Sequence, residues 1–329
     1  MDLLSEMLKV VRLEGALFFN AEFSAPWCIS SRRTEEIAHY FSAKAHHVII
    51  YHFLTEGRAY AKLAEGTRED LSAGDIVIFP HGDAHFIGNG WPERPVDSVR
   101  TFSKNLIEGL RLAQFGGGGE ITRFVCGFMA CEPRLSEVFL AGLPHMLKIH
   151  IRGAPSGEWI ENTIRFSVGD AADSNAGRAL VHAKLSEVLF VETLRRYITS
   201  LPPGQIGWLA GARDPIASQV LALLHKQPAH RWTIAELART VGSSRTRLAE
   251  RFRHYLNQSP IAYLGQWRLQ LAAHMLESTT DSVAEIAANV GYGSEASFNR
   301  AFKRKYQYPP AQFRRRQKQT VGSGEESGF

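Results

Sequence analysis

The chain has 329 residues, 44% hydrophobic and 22% charged, enough to bury a large core in two domains and far from the compositions of disordered or collagenous chains. No apolar run approaches the roughly 18 residues of a membrane span, and the opening Met1-Asp2-Leu3-Leu4-Ser5-Glu6 lacks the basic-then-apolar order of a signal peptide, so a soluble cytoplasmic protein with no membrane partner is expected. Residues 201–320 hold 17 Lys and Arg against 7 Asp and Glu, whereas residues 1–200 hold 21 against 24, the pattern of a basic polyanion-binding domain attached to one with a different task.

In chain order, short runs rich in β-branched and aromatic residues come first. Val48 to Phe53, Ala59 to Leu63, Ile76 to Phe79, His85 to Ile87 and Ile121 to Phe128 are separated by Glu56-Gly57, Glu65-Gly66 and Ala73-Gly74-Asp75, which predicts a β-sandwich or small barrel. Asn89 to Gly119, with Gly90, Pro92, Pro95 and the run Gly116 to Gly119, reads as a mobile loop between strands. From Arg178 to Thr199 the period changes. Leu180, Val181, Leu185, Val188, Leu189, Val191, Leu194 and Ile198 recur at helical spacing, and the broad apolar face fits packing on the chain's own barrel and a dimer helix equally well. Cys28, Cys126 and Cys131 form no CxxC pair, which argues against a disulfide framework or a zinc finger and leaves reduced, buried thiols as the expectation.

Leu201-Pro202-Pro203-Gly204 ends that helix, because neither proline continues it, and the domain boundary is expected between there and Arg213. Asp214-Pro215 then offers an N-cap followed by proline in the first turn. Ala235-Glu236-Leu237-Ala238 is echoed 49 residues later by Ala284-Glu285-Ile286-Ala287, and Val241-Gly242 by Val290-Gly291; beyond the glycines the offset is 50, pairing Leu248 with Phe298, Phe252 with Phe302 and Pro260 with Pro310. Each copy has a helix starting behind Thr233 or Ser282, a glycine at the turn and a second helix anchored by two apolar residues four apart, which is a helix-turn-helix layout. Pro260 to Leu276 reads as one long helix joining them. With Leu248, Phe252, Phe298 and Phe302 inward, Ser244, Arg245, Thr246, Arg247, Glu250, Arg251 and Arg253 face outward in the first copy, and Ser294, Glu295, Asn299, Arg300, Lys303 and Arg304 in the second.

Residues 213–316 resemble the DNA-binding domain of the AraC/XylS transcription regulators, through Trp232-Thr233, Tyr263-Leu264, Trp267-Arg268, Ile286-Ala287, Gly291-Tyr292, Phe298 to Lys303 and Pro310 to Arg314. The resemblance implies a transcription regulator, of the activating kind, whose two recognition helices enter successive major grooves; double-stranded DNA and RNA polymerase are the partners it implies. Carried over by position, Thr246, Ala249 and Glu250 in the first unit and Glu295, Ala296, Asn299 and Arg300 in the second face bases. Two departures stand out: the family's glycine before the Ser-Pro or Pro-Pro turn is Asn257 here in the first copy and Gln307 in the second, and the glutamine suggests a different helix cap.

Gly74 to Asn89 fits GxxxxxPxGxxHxxxN and resembles the second motif of the cupin superfamily. With Phe23 to Trp27, Tyr51-His52 and Cys126-Gly127, residues 12–151 look like the cupin-type sensor domains that precede some AraC/XylS domains. Of the metal ligands such cupins use, His85 is in place; His46, His47 and His52 lie where the first motif falls, and its glutamate position is unfilled. No metal, cofactor or catalytic site is therefore expected, and an effector pocket near His52, Phe79, His81 and His85 is. The expected fold is α+β: a cupin-like sensor or dimerisation barrel with flanking helices over 1–200, a linker at 201–212, an all-α domain with two helix-turn-helix units over 213–320 and a disordered tail at 321–329. An unidentified small molecule and a second copy of the chain complete the expected partners. The rival reading is a cupin metalloenzyme fused to a nucleic-acid-binding domain.

Overall fold

The computed structural model describes residues 3–11, 14–41, 47–90, 95–98, 100–101, 112–131, 140, 142–169 and 177–316; the expected tail at 321–329 and His46 lie outside them. The chain divides into two compact units, Val11–Leu201 and Pro202–Phe329 together with Met1–Val10.

The first unit is built on two sheets. The strands are β1 (Glu14–Ser24), β2 (Trp27–Ser31), β3 (His47–Glu56), β4 (Arg58–Leu63), β5 (Arg68–Ser72), β6 (Asp75–Phe79), β7 (His85–Asn89), β8 (Val96–Asp97), β9 (Leu112–Gly116), β10 (Ile121–Cys131) and β11 (Leu147–His150). They run β11-β6-β3-β10-β1-β9 in one sheet and β5-β4-β7-β2-β8 in the other. Alternating side chains of both sheets meet in one core that includes Phe23, Trp27, Leu54, Val77, Phe79, Ile87, Phe124 and Cys126, with Phe23 stacked on Trp27 at 4.3 Å between ring centroids. All five predicted runs lie within strands. The expected loop Asn89 to Gly119 needs correction, because it contains β8 and β9, and β9 extends the larger sheet by pairing in parallel with β1, Asn20 opposite Leu112. Burial alternates along it, with Ala113 buried and Phe115 half-buried between exposed neighbours, but the exposed apolar Leu112 beside Ala113 hides that alternation in the sequence.

Helix α1 spans Leu3–Val11 and α2 Thr34–Phe41. Helices α3 (Pro155–Gly169) and α4 (Arg178–Ser200) follow β11, and α4 lies against β1 and β10. Its contact is tight: a Cβ on Gly15 would stand 2.7 Å from Ser186 Cβ, and Ser186 Oγ hydrogen-bonds the buried Tyr51 hydroxyl at 2.6 Å. Of the two roles open from sequence, packing on the chain's own barrel is therefore realised. The opposite side of α4 leaves Leu180, Val181 and Val188 exposed.

The second unit is helical: α5 (Trp208–Gly211), α6 (Pro215–Lys226), α7 (Ile234–Thr240), α8 (Arg245–Leu256), α9 (Pro260–Ser278), α10 (Val283–Asn289) and α11 (Glu295–Tyr306), with a last helical stretch over 310–316. Helix α5 falls inside the expected linker and is buried throughout, its Trp208 Nε1 donating to Tyr263 Oη at 3.1 Å, so the packed unit begins before Arg213. Side-chain oxygens cap helix after helix: Asp214 accepts from the amides of Ile216 and Ala217, Thr233 from Glu236, Ser244 from Arg247, Ser259 from Ala262, Ser282 from Glu285 in a full capping box and Ser294 from Ser297. Each such cap is worth about 1 kcal/mol.

The repeat seen in sequence is a repeat of hydrogen bonds. Val241 N–H donates to Leu237 and Arg239 carbonyls, as Val290 N–H does to those of Ile286 and Ala288; Ser243 N–H reaches Ala238 O and Tyr292 N–H reaches Ala287 O, both at 2.8 Å. Gly242 and Gly291 turn the chain at φ 64° and 87°. The additional residue of the second turn is then Gly293, before the Ser294 cap. Helices α8 and α11 close identically: Asn257 and Gln307 sit at φ 52° and 67°, and their amides donate to Arg253 and Lys303 carbonyls. The different cap expected at Gln307 is thus corrected to the same left-handed cap, held by a residue whose Cβ opposes it. Gln307→Gly should raise unfolding stability by about 1 kcal/mol, read as a higher urea midpoint at unchanged m-value; an unchanged or lower midpoint would contradict the cap geometry.

Candidate nucleic-acid interface and barrel interior

Helices α8 and α11 are the second helices of the two turns. Leu248, Phe252, Phe298 and Phe302 are fully buried, and these anchors, four apart in each helix, turn the opposite face outward. That face carries Ser244, Arg245, Thr246, Arg247, Glu250 and Arg253 exposed and Ala249 half-buried; on α11 it carries Ser294, Glu295, Ala296, Arg300, Lys303 and Arg304 exposed and Asn299 half-buried. The Ser244 and Ser294 hydroxyls cap their helices through the amides of Arg247 and Ser297. Arg251, counted with the outward cations from sequence, is instead tied to Asp214, with Nε 2.9 Å from Oδ2, and to Tyr255.

In the barrel unit Arg32, Arg68, Arg123, Arg152, Arg165, Arg195 and Arg196 each hold a carboxylate. On the outward faces of α8 and α11, Arg245, Arg247, Arg253, Arg300, Lys303 and Arg304 form no ion pair among the described residues; Glu295, one turn before Arg300, forms none either. Cations left unneutralised on one face are what releases counterions from a polyanion.

The four residues expected to line a barrel pocket divide. His52, Phe79 and His85 come together: Phe79 stacks on His85 at 3.6 Å between centroids, and His52 Nε2 lies 3.0 Å from His85 Nε2. His81 is elsewhere, donating from Nε2 to Leu143 O at 3.0 Å, with its ring beside His145. The protons of the interior chain follow from one fixed acceptor. Asp83 O accepts from His85 Nδ1 at 2.8 Å, so the neutral His85 presents a bare Nε2, which accepts from His52 Nε2–H; His52 Nδ1 is then bare and accepts from the Cys126 thiol at 2.8 Å. Burial, and after it the charge of His85, holds His52 well below the ordinary histidine range; burial lowers His85 to about 4 and pushes the Cys126 thiol well above its usual range. Every member is therefore neutral near pH 7.

Cys126 was legible only as a small buried residue. Its partner follows from register, since Cys126 and His52 are directly opposed on β10 and β3, and the register depends on strand lengths that the sequence pattern underestimates. Among the described residues no three His, Cys, Asp or Glu side chains are placed to share an ion. No helix among them is long and apolar enough to cross a membrane.

Fold and site together define a DNA-binding protein in which a cupin barrel accompanies paired helix-turn-helix units. A Cupin family model matches residues 2–199 and a Helix-turn-helix domain model residues 237–316. The chain belongs to the AraC-like transcription regulators that carry a Cupin domain. It is 27% identical to the HTH-type transcriptional regulator AlkR of Acinetobacter baylyi, over 95% of this chain and 99% of that protein. It is 31% identical to a Streptomyces lividans protein named "Putative AraC-like transcription regulator", over 75% of this chain and 79% of the relative. Among solved structures it is similar to the DNA-binding domain of AdpA in complex with a target DNA, at 26% identity and a TM-score of 0.31, covering 35% of this chain and 99% of that one.

Histidines buried neutral make stability depend on pH. Burial lowers His225, beneath Tyr263 and Trp267, from 6.5 to about 3. Between those values the unfolded chain binds a proton that the folded chain refuses, so stability is full above 6.5 and falls as pH drops through the window. By pH 5 His225 alone should remove about 2 kcal/mol. Urea melts of the full chain at pH 7.5 and 5.0 check this, and equal midpoints would be inconsistent with a buried neutral imidazole.

Proposed function

We propose that the protein regulates transcription, as an activator, by reading DNA through α8 and α11, with regulatory input from the barrel. The unneutralised cations on one face of two structurally equivalent helices carry this reading. Thr246, Ala249, Glu250, Glu295, Ala296, Asn299 and Arg300 face base edges near the helix N-termini, while Arg245, Arg247, Arg253, Lys303 and Arg304, with the turn serines Ser244 and Ser294, hold phosphates. The helical unit, from α5 onward, forms the DNA-binding domain and the barrel unit the sensor and dimerisation domain, working in the cytoplasm with RNA polymerase as partner. The exposed Leu180, Val181 and Val188 on α4 are the surface a second copy of the chain covers.

The barrel senses a small molecule at the His52, Phe79 and His85 cluster. A buried chain with a single proton order is costly to break, so a polar ligand that displaces one of its bonds shifts the barrel between two discrete states. His52→Ala should change the transcriptional response to inducing conditions while leaving the operator affinity of the effector-free protein within about twofold; an unchanged response across all inducing conditions would remove the cluster from sensing.

Reading and positioning contacts separate by mutation. Arg300→Ala should cost about 1–3 kcal/mol of binding and relax preference at one base pair, because its guanidinium meets the O6 and N7 acceptors of guanine. Lys303→Ala or Arg304→Ala should weaken all sequences alike and lower the salt slope by about one. Binding to a randomised site library at several salt concentrations decides this: a uniform loss for Arg300→Ala, with base preference intact, would end its role as a reader.

A further inference from the structure

Helix α9, which runs between the two turns, carries Gly265 in its interior. Glycine there weakens a helix relative to alanine, and the usual reasons for one are missing: a Cβ at Gly265 would meet no atom within 4 Å, so no neighbouring element requires the close approach. The space in front of it is a cleft of about 400 Å³. Leu264 and Gly265 line it from α9, Trp232 from the stretch before α7, and Tyr292 from the second turn.

Ile261 and Gly291 also line it, and two guanidinium groups, Arg231 and Arg268, supply its charge; the lining includes no carboxylate. Arg268 is fixed in place, donating from Nε to Pro228 O at 2.7 Å and from Nη2 to His230 O at 2.8 Å, which leaves further N–H donors of its fork. Arg231 is exposed and forms no ion pair among the described residues. Desolvation lowers the pKa of Arg268, Tyr292 opposes that, and the like charge of Arg231 lowers it further, so the two cations sit near one another with no carboxylate in the lining between them. An aromatic and aliphatic lining with paired cations matches a molecule with an apolar body and an anionic head.

We infer that this cleft is a ligand site for a small carboxylate bearing an aromatic or aliphatic body, separate from the barrel. The carboxylate lies between Arg231 and Arg268, and the body lies over Gly265 between Trp232 and Tyr292. A DNA phosphate would use the cations equally well, but it has no use for the apolar floor or for the volume that Gly265 keeps open. Because Trp232 and Tyr292 belong to different helix-turn-helix units, an occupant touches both and biases their spacing.

The test titrates full-length protein, without DNA, with phenylacetate and hexanoate, and with phenylacetamide as the uncharged control, by calorimetry and ligand-observed NMR. Ligands of this size should bind with Kd of about 1 mM, and phenylacetamide should bind at least about tenfold more weakly. Gly265→Leu, which favours the helix and fills the cleft, should abolish binding while the melting temperature holds or rises. Arg231→Gln, at an exposed position, should weaken binding about tenfold without change in melting. The inference is overturned if neither carboxylate binds at about 10 mM, if binding survives Gly265→Leu and so lies elsewhere, or if the amide binds as well as the acid. It is equally overturned if Arg231→Gln lowers DNA affinity while carboxylate binding is unaffected, which would make the cleft a phosphate contact.

Discussion

The setting of α8 and α11 depends on a short loop held from behind. Arg268, on the helix common to both units, donates to the carbonyls of Pro228 and His230 and so fixes the stretch between α6 and α7. Gly291, the turn glycine of the second unit, packs on that stretch so closely that a Cβ would stand 2.6 Å from Ala229 Cα. The equivalent Gly242 has nothing within 4 Å; its glycine is needed for the left-handed turn alone, whereas Gly291 serves the turn and the joint. One arginine and one glycine thus convert two copies of a small motif into a single body, and the capped helices on either side inherit their orientation from that contact.

The barrel has a comparable dependence on few atoms. Asp83 O, a backbone acceptor in the turn before β7, decides which nitrogen of His85 carries its proton, and that choice propagates through His52 to Cys126. Backbone carbonyls do not titrate, so the order is set by the fold rather than by pH. Trp27, stacked on Phe23 in the same core, has its indole nitrogen buried with no partner, a polar cost the barrel carries.

The helical unit was legible in the sequence to the level of single hydrogen bonds, because its determinants are local: cap residues, turn glycines and anchors four apart act within a few positions of themselves. Thr233, Ser282 and Asp214 are read off directly. The barrel was legible in its strongest strands and not in β1, β2, β5, β8, β9 or β11, whose places depend on partners far along the chain. Leu112 to Gly116 is a strand because β1 offers it an edge, not because of its own pattern. The same reason hid the Cys126 and His52 pair, the departure of His81 from its supposed neighbours and the tie between Arg251 and Asp214, 37 positions away. Gln307 misled in the opposite direction: residue preference argued for a new cap, and the surrounding helix imposed the old one.

The inserted Gly293 changes the offset between the copies from 49 to 50, and at the new offset the outward faces are electrically inverted at two places. Arg245 corresponds to Glu295, and Glu250 to Arg300. An internal duplication usually suggests symmetry, yet this one presents a cation where its counterpart presents an anion, in a fixed order along a rigid body. Such a molecule has a head and a tail. On the reading proposed above, in which Glu250 and Arg300 face bases, the chain distinguishes a stretch of duplex from the same stretch turned end for end, since the hydrogen-bond pattern an arginine selects is the one a glutamate rejects. A chain that reads DNA in that way has polarity on the duplex, and whatever else it carries is delivered to one defined side of its site.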